Sequence, residues 1–354
     1  MTRRLDIRFC EPAAIERAWD ALAERVGGSP FVRPGWALPW HASYGTGRLM
    51  VLTAFDGRRL VAAMPLELRK GVVSSPTNWH TPEYEILAED EQVRNDLVGA
   101  ALQTHGRRLH LAFVNDELVE QVSRTAARGR QRVLSRVLEE GPYIDLGGNF
   151  ADYERTLDKH VRAELRRRRR RLEERGRVNF TIHESADHDA LSRFFTVEAA
   201  GWKGANGTGT AIAAEPPTQA FYTRVAHWAG EKGWLRLALL SVDGRAVAGD
   251  FALQYGGTHY LLKTGFDPEF RQYGAGKLLR HSMIERAFAD GVRRYEFLGI
   301  ADPWKLEWTS TLRRQMIVQA FARTAAGRLD RVAHEYGRPV AKAALAKARQ
   351  WRHR

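Results

Sequence analysis

Two stretches of this chain repeat one another, and no feature of the sequence constrains the fold more. RLMVLTAFDGRRLVAAMPLEL (48–68) and LRLALLSVDGRAVAGDFALQY (235–255) each run from an apolar strand through Asp-Gly-Arg into a second apolar strand. Asp-Gly between apolar runs is a strong hairpin signal, because both central positions of the favoured turn need positive φ. Asp56, Gly57 and Arg58 correspond to Asp243, Gly244 and Arg245, and Leu66 to Leu253, at a separation of 187 residues. Two hairpins with the same flanks predict two copies of one α+β unit.

The elements around each hairpin agree. In the first half Ile15, Trp19, Leu22 and Val26 form a helical stripe before the hairpin. After it come an expected strand in NWHTPEYEIL (78–87), a helix near 92–104 and the strand RRLHLAFV. The second half offers a helix from about 190, the hairpin, the strand THYLLKTGF, a helix over 275–290 and the strand RRYEFLG. The expected division is residues 1–150 and 151–322 as two units, with 323–354 as a basic helical tail. Only the second copy carries a glycine-rich turn, RQYGAG, between its third strand and the following helix.

That turn is suited to an anion. A helix N-terminus presents unpaired N–H groups and the positive end of the helix dipole, and glycine lets the backbone approach a ligand closely. Gly274 and Gly276 therefore suit a phosphate or pyrophosphate, with Arg271 and Lys277 adding charge-assisted contacts.

Charge is concentrated too. The formal net charge is +13; residues 162–177 hold nine Arg against three Glu, and 323–354 hold nine Lys or Arg against two acids. Any anionic partner would thus meet a helix and a tail. Tyr153, Leu157, Val161, Leu165 and Leu172 make one stripe, along which Arg168 also falls, either reaching an anion or snorkelling from the core edge. Cys10 is the single cysteine, which excludes an internal disulfide and a multi-thiolate zinc site. No apolar run approaches the ~20 residues of a membrane helix, and MTRRLDIRF leads into no apolar secretory segment. The expectation is a cytoplasmic protein needing no metal.

At this point the sequence resembles a family. Arg271, Gln272, Tyr273, Gly274, Ala275 and Gly276 match the Arg/Gln-x-x-Gly-x-Gly/Ala element of the GCN5-related N-acetyltransferase (GNAT) superfamily. Residues from about 160 to 315 resemble the acetyltransferases associated with cellulose and exopolysaccharide biosynthesis (CelD/BcsL type), relatives of the Fem peptidoglycan aminoacyltransferases. The pieces that carry this are RRRLEERG, GWKGANGTGTAI, AGDFAL, YLLKTGFDPEF, YEFLGI and PWKLEWT. Members of that family often have Ser-Pro-Gly at the glycine turn and Asp at position 296, where this chain has Glu.

The resemblance implies tandem GNAT-like units, each a mixed, mostly antiparallel sheet flanked by helices, and acetyl-CoA or another acyl-CoA as donor. Backbone amides of 271–277 would hold the pyrophosphate, and the strand containing Thr264, Gly265 and Phe266 the pantetheine. The implied reaction is acyl transfer to an amine, on an amino sugar or an exopolysaccharide precursor. A Fem-like enzyme taking an aminoacyl group from transfer RNA is a second expectation, and a basic nucleic-acid or membrane-surface binding protein on a degenerate scaffold a third.

Amine acylation needs a neutral nucleophile, and an alkylamine with a reference pKa of about 10.4 needs a base or a desolvating pocket. Glu296, on the strand beside the expected gap, is the first candidate for that base; pairing with Arg293 or Arg294 is its other reading. Asp250 interrupts an apolar strand and needs either a partner or a function. Lys305 matches the lysine of the family's closing motif and is suited to an anionic or carbonyl group. Lys263 faces either ligand or neighbouring strand. Trp202 and Lys203 open a glycine-rich loop that either closes over an acceptor or anchors to the core.

Overall fold

A computed structural model describes residues 4–337 except 105, 202–203 and 205–208. The chain divides into two compact units, the first of residues 1–37, 45–138 and 314–354, the second of 38–44 and 139–313. This differs from the division expected at 150 and 322. The cause is an exchange of closing strands, which assigns the end of each half to the sheet of the other.

The first unit runs β1 (Asp6–Cys10), α1 (Pro12–Val26), α2 (Pro34–Tyr44, of which only the start belongs here), β2 (Arg48–Asp56), β3 (Arg59–Arg69), β4 (Val72–Ser74), β5 (Leu87–Ala88), α3 (Glu91–Gln103), β6 (Arg108–Val114) and α4 (Asp116–Arg128). β7 (Arg132–Asp145) follows, but its residues 139–145 belong to the second unit. That unit continues with α5 (Phe150–Thr156), α6 (Lys159–Glu173), β8 (Val178–His183), α7 (His188–Ala200), α8 (Pro216–Glu231), β9 (Leu235–Val242), β10 (Arg245–Tyr255), β11 (Thr258–Phe266), α9 (Ala275–Ala289), β12 (Arg294–Glu296) and α10 (Pro303–Leu306). β13 (Leu312–Phe321) and α11 (Ala325–Val332) return to the first unit, apart from the first two residues of β13.

Each sheet has the same pattern. In the first, β1, β2, β3 and β4 are antiparallel neighbours, β4 pairs parallel with β6, and β6 antiparallel with β13. In the second, β8, β9, β10 and β11 are antiparallel neighbours, β11 pairs parallel with β12, and β12 antiparallel with β7. A helix stripe closes each core: Ile15, Trp19, Leu22 and Ala23 of α1 in the first, Leu278, Leu279, Met283, Ile284 and Ala287 of α9 in the second.

The repeat is real, but its register differs by one residue from the alignment of the Asp-Gly pairs. In the second hairpin Asp243 and Gly244 form the turn, both at positive φ; in the first the turn residues are Gly57 and Arg58, and Asp56 pairs with Arg59. The equivalent positions are therefore 186 apart. The bulges confirm this, with Val61 unpaired in one hairpin and Val247 in the other. Since a one-residue slip moves side chains to the opposite face, Leu253 is equivalent to Glu67 and not to Leu66.

A further matched detail lies where the third strand begins. Lys70 and Gly71 turn at positive φ, as do Gly256 and Gly257. Arg107 donates to the Lys70 carbonyl (3.0 Å) and its N–H to Gly71, while Arg293 donates to the Gly256 carbonyl (2.9 Å) and its N–H to Gly257.

The copies part at the third strand. After Ser74 the first unit inserts residues 75–86 before its strand resumes at β5, where the second has only 261–264. The expected strand over 78–87 is thus an excursion, of which Leu87 alone pairs in the sheet. Its Pro76 and Pro82 lack N–H donors, which suits a loop better than a ladder. The excursion is stitched to β6: Ser75 N–H donates to the His110 carbonyl, Ala112 N–H donates to Ser75 Oγ, and Tyr84 N–H donates to the Phe113 carbonyl.

Candidate active site

In the second unit β11 and β12 share only three rungs, Thr258 to Tyr260 against Arg294 to Glu296. β11 then continues to Phe266 against β10 alone, with Leu262 bulged out of register. The β11–β12 ladder therefore stops at Tyr260, and residues 261–266 border a wedge between the strands. Leu298 and Gly299, both at positive φ, turn the chain away at the end of β12 and help to open that wedge.

Glycines bring a helix against one side of it. Gly249 of β10 and Gly265 of β11 are directly paired. A Cβ on Gly249 would meet the Phe194 ring at 2.8 Å, and one on Gly265 would overlap the Glu198 backbone. The two glycines thus form the bed of α7, which accounts for Gly265 without any ligand. Glu198 is buried there and accepts the Ile212 N–H at 2.9 Å. Lys263 faces this side, its Nζ 5.6 Å from the centre of the buried Tyr222 ring.

On the other side, β11 runs through Phe266, which packs on Gly276, into a 3-10 turn over Pro268–Tyr273 and then α9. Gly274 is the N-cap of α9 at φ +64°. The first helical bond runs from Leu278 N–H to the Gly274 carbonyl at 2.9 Å, leaving the N–H groups of Ala275, Gly276 and Lys277 without a partner inside the helix. Arg168 lies over this end: a Cβ on Gly274 would sit 2.5 Å from Arg168 Nη1, which donates to the Arg271 carbonyl at 3.3 Å. Glu164 bridges Arg168 Nη2 at 2.5 Å and Lys277 Nζ at 2.6 Å, and Glu307 takes Lys277 Nζ at 2.5 Å. The hydrogen bond from Lys277 holds the Glu164 carboxyl below its usual range. Arg271 is exposed, and Tyr273 is half-buried beside Phe270, with the Arg175 guanidinium 5.8 Å from its ring centre. The stripe that places Arg168 here is split between α5 and α6, because Leu157 is extended and Asp158 caps α6 on the His160 N–H.

The wedge floor is charged. Arg280 of α9, 2% exposed, gives both terminal nitrogens to Asp250, 0% exposed, at 2.6 and 2.8 Å. It also donates to Tyr295 Oη at 2.6 Å and Thr264 Oγ1 at 3.2 Å, and the Trp304 ring lies over it at 5.7 Å. Asp250 has therefore found a partner, which is the structural of its two expected roles. His259, fully buried and stacked on Tyr295 at 4.5 Å, has no hydrogen bond at either ring nitrogen among the described residues; burial, aided by the charges of Arg280 and Arg236, lowers its pKa to about 3.

At the β12 side the Glu296 carboxylate is matched by Arg313 at 3.2 Å and Arg294 at 3.8 Å. Arg293, the other partner expected, is engaged with the Gly256 carbonyl instead. Lys305 donates to the Leu298 and Ile300 carbonyls, both at 2.7 Å, and pairs with Asp302 at 3.1 Å. Burial lowers its pKa. In this arrangement Lys305 holds the turn after β12 and points at backbone carbonyls of its own chain. Trp202 and Lys203 lie outside the described residues. No group of three or more His, Cys, Asp or Glu able to hold a metal occurs among the described residues.

The family described as "Acetyltransferase (GNAT) domain" matches residues 159–306, the stretch that holds the wedge, Gly274 and α10. No protein of curated function matches the sequence. Among solved structures, FemX superposes with a TM-score of 0.59 at 11% identity, covering 86% of this chain and 95% of that one. A conserved protein of unknown function from Bacteroides thetaiotaomicron VPI-5482 gives 0.57 at 12%, covering 90% and 100%. The C-terminal DUF2156 domain of a lysylphosphatidylglycerol synthetase candidate from Agrobacterium fabrum gives 0.54 at 12%, covering 91% and 96%. At such identities these likenesses concern the fold. The chain thus has the GNAT fold, and its residues 159–306 match the family described as an acetyltransferase (GNAT) domain.

Proposed function

We propose that the protein is an acyl-CoA-dependent N-acyltransferase that uses acetyl-CoA. The observation that carries this reading is the join of the stretch of β11 that β12 does not reach, 261–266, to a glycine-capped helix start with Arg168 lying over it. The acyl-CoA pyrophosphate would lie on the N–H groups of Ala275, Gly276 and Lys277, with Arg168 turning from Glu164 toward it and Lys277 beside it. The pantetheine would run along Thr264, Gly265 and Phe266. Thioester transfer to an amine is favoured by donors fixed where charge develops on the carbonyl oxygen, a role proposed for the backbone of β11 beyond its β12 ladder. Lys263 and Tyr222, with the α7 side of the wedge, are the proposed acceptor wall. An amino sugar or exopolysaccharide precursor as acceptor rests on the CelD/BcsL resemblance, and the reaction would run in the cytoplasm, where acyl-CoA is available.

One observation favours the Fem-like alternative. Arg166, Arg167, Arg169 and Arg171 are exposed on α6 without an ion pair among the described residues, a surface suited to the phosphates of transfer RNA. Calorimetric titration with acetyl-CoA separates the two. The expected result is micromolar binding that weakens about 10-fold or more in Arg168→Ala, the loss of one charge-assisted contact. Gly274 is a poor place for the test, since its φ and the overlying Arg168 would penalise any side chain regardless of ligand. Absence of binding by folded protein, with binding of aminoacyl-tRNA instead, would transfer the conclusion to the alternative.

A further inference from the structure

The acyl-CoA reading leaves the proton acceptor unassigned, because the acids first considered already have partners: Asp250 has Arg280, and Glu296 has Arg313 and Arg294. A third acid in the second unit has none. Glu139 is 7% exposed, and its carboxylate makes no hydrogen bond or ion pair among the described residues. A buried carboxylate without donors is costly to keep and is more often found where chemistry needs it than where packing does.

Its place follows from the strand register. Glu296 pairs with Tyr143, Phe297 N–H donates to the Pro142 carbonyl at 3.0 Å, and Gly141 lies close against the Gly299 carbonyl. Two residues further along β7, Glu139 comes level with the turn at Gly299 and Ile300, at the end of β12 where the wedge is open. Alternation puts it on the strand face of Gly141 and Tyr143, the face that Glu296 shares.

The charges that act on it are those of Lys305 from α10 and Arg313 from β13, and Arg313 is in turn paired with Glu296 of β12. Both cations are anchored elsewhere, Lys305 on the Leu298 and Ile300 carbonyls and Arg313 on Glu296. Burial raises the Glu139 carboxyl above its usual range, and the charges of Lys305 and Arg313 offset part of that. A carboxylate so placed is a better proton acceptor than a surface one.

We propose that Glu139 takes the proton from the attacking amine, with Lys305 and Arg313 as fixed charges that position it and disfavour the ammonium form of the acceptor. The amine nitrogen bonds to the thioester carbon, and the C–S bond breaks. The amine proton passes to a Glu139 oxygen, directly or through one water. The thiolate leaves and takes a proton from solvent, to which Glu139 returns its own.

The test uses the full chain and the near-isosteric Glu139→Gln. Thiol release from acetyl-CoA is followed with ethanolamine, protonated at neutral pH, and with hydroxylamine, largely unprotonated there. The expected result is unchanged acetyl-CoA binding, a loss of about 10²–10⁴ in kcat/KM toward ethanolamine, a much smaller loss toward hydroxylamine, and disappearance of the acid limb of the pH profile. Equal loss with both amines, or an intact acid limb, would make Glu139 a structural residue and overturn the proposal. Carbon-13 NMR of labelled glutamate carboxyls gives a readout independent of any acceptor. A signal absent from Glu139→Gln that titrates above the ordinary range supports the assignment, and one within that range overturns it. Failure of the wild type to bind acetyl-CoA at all removes the acyl-CoA reading, a separate result seen in calorimetry.

Discussion

Asp250 offers a sharp test of structural against chemical roles. Its carboxylate and the Arg280 guanidinium are both sealed from solvent, so removing one charge strands the other. Breaking a buried pair in this way costs about 3–5 kcal/mol. In Asp250→Asn the guanidinium keeps Tyr295 Oη, Thr264 Oγ1 and one amide oxygen, so the lower end, about 3 kcal/mol, is expected. For a unit of this size that corresponds to a fall in Tm of roughly 6–12 °C. Urea unfolding and calorimetry of the purified variant measure it. The double variant Asp250→Leu/Arg280→Met removes both charges and fills the space, and should recover most of the loss. The reasoning is refuted if Asp250→Asn loses less than about 1 kcal/mol, or if the double variant is no more stable than the single one. Full stability with lost turnover would instead return Asp250 to the chemistry.

Two further perturbations follow from the same unit. His259 binds a proton at about pH 3 when folded against 6.5 when unfolded. The unfolded state therefore holds more protons between those values, and stability falls as pH drops through that window, at up to about 1.4 kcal/mol per pH unit and about 5 kcal/mol in all. His259→Phe keeps the stack on Tyr295 and should flatten that part of a urea-derived stability profile; an unchanged slope would show that the imidazole is not the titrating group. Gly265→Ala drives a methyl into the α7 backbone and should cost about 1–3 kcal/mol, measured by thermal unfolding. A neutral result would show that α7 is free to lift from its bed.

Much of this architecture could be read from residues. The hairpins, α3, β6, α7, β11 and α9 follow from apolar periodicity and turn chemistry, and the glycine turn from its position between strand and helix. What escaped depended on distance along the chain. The exchange of β7 and β13 between sheets leaves no local mark, since both are ordinary strands whose partners are chosen by the assembled sheet. The Asp-Gly pairs misled by one residue because the two-residue turn is Gly57-Arg58 in the first hairpin and Asp243-Gly244 in the second. Arg280 went unnoticed within the helix RHSMIERA, where an arginine looks like a solvated one, and its burial is dictated by Asp250 thirty residues earlier. Glu139 gave no signal for the same reason: in RVLEEGPYID neither acid is distinguished until Gly141 lies against Gly299.

The Ser75 seam bears on ligand stoichiometry. A chain built from two copies of one plan could take up two donors. Here the inserted residues 75–86 convert the first wedge into ordinary hydrogen-bonded backbone, so one equivalent of donor should saturate each chain. Hydrogen exchange would report the same seam without any ligand: the amides of Ala112 and Tyr84, held by Ser75 Oγ and the Phe113 carbonyl, should exchange slowly. In the first unit, residues 75–86 bonded to β6 stand where the second unit has its wedge.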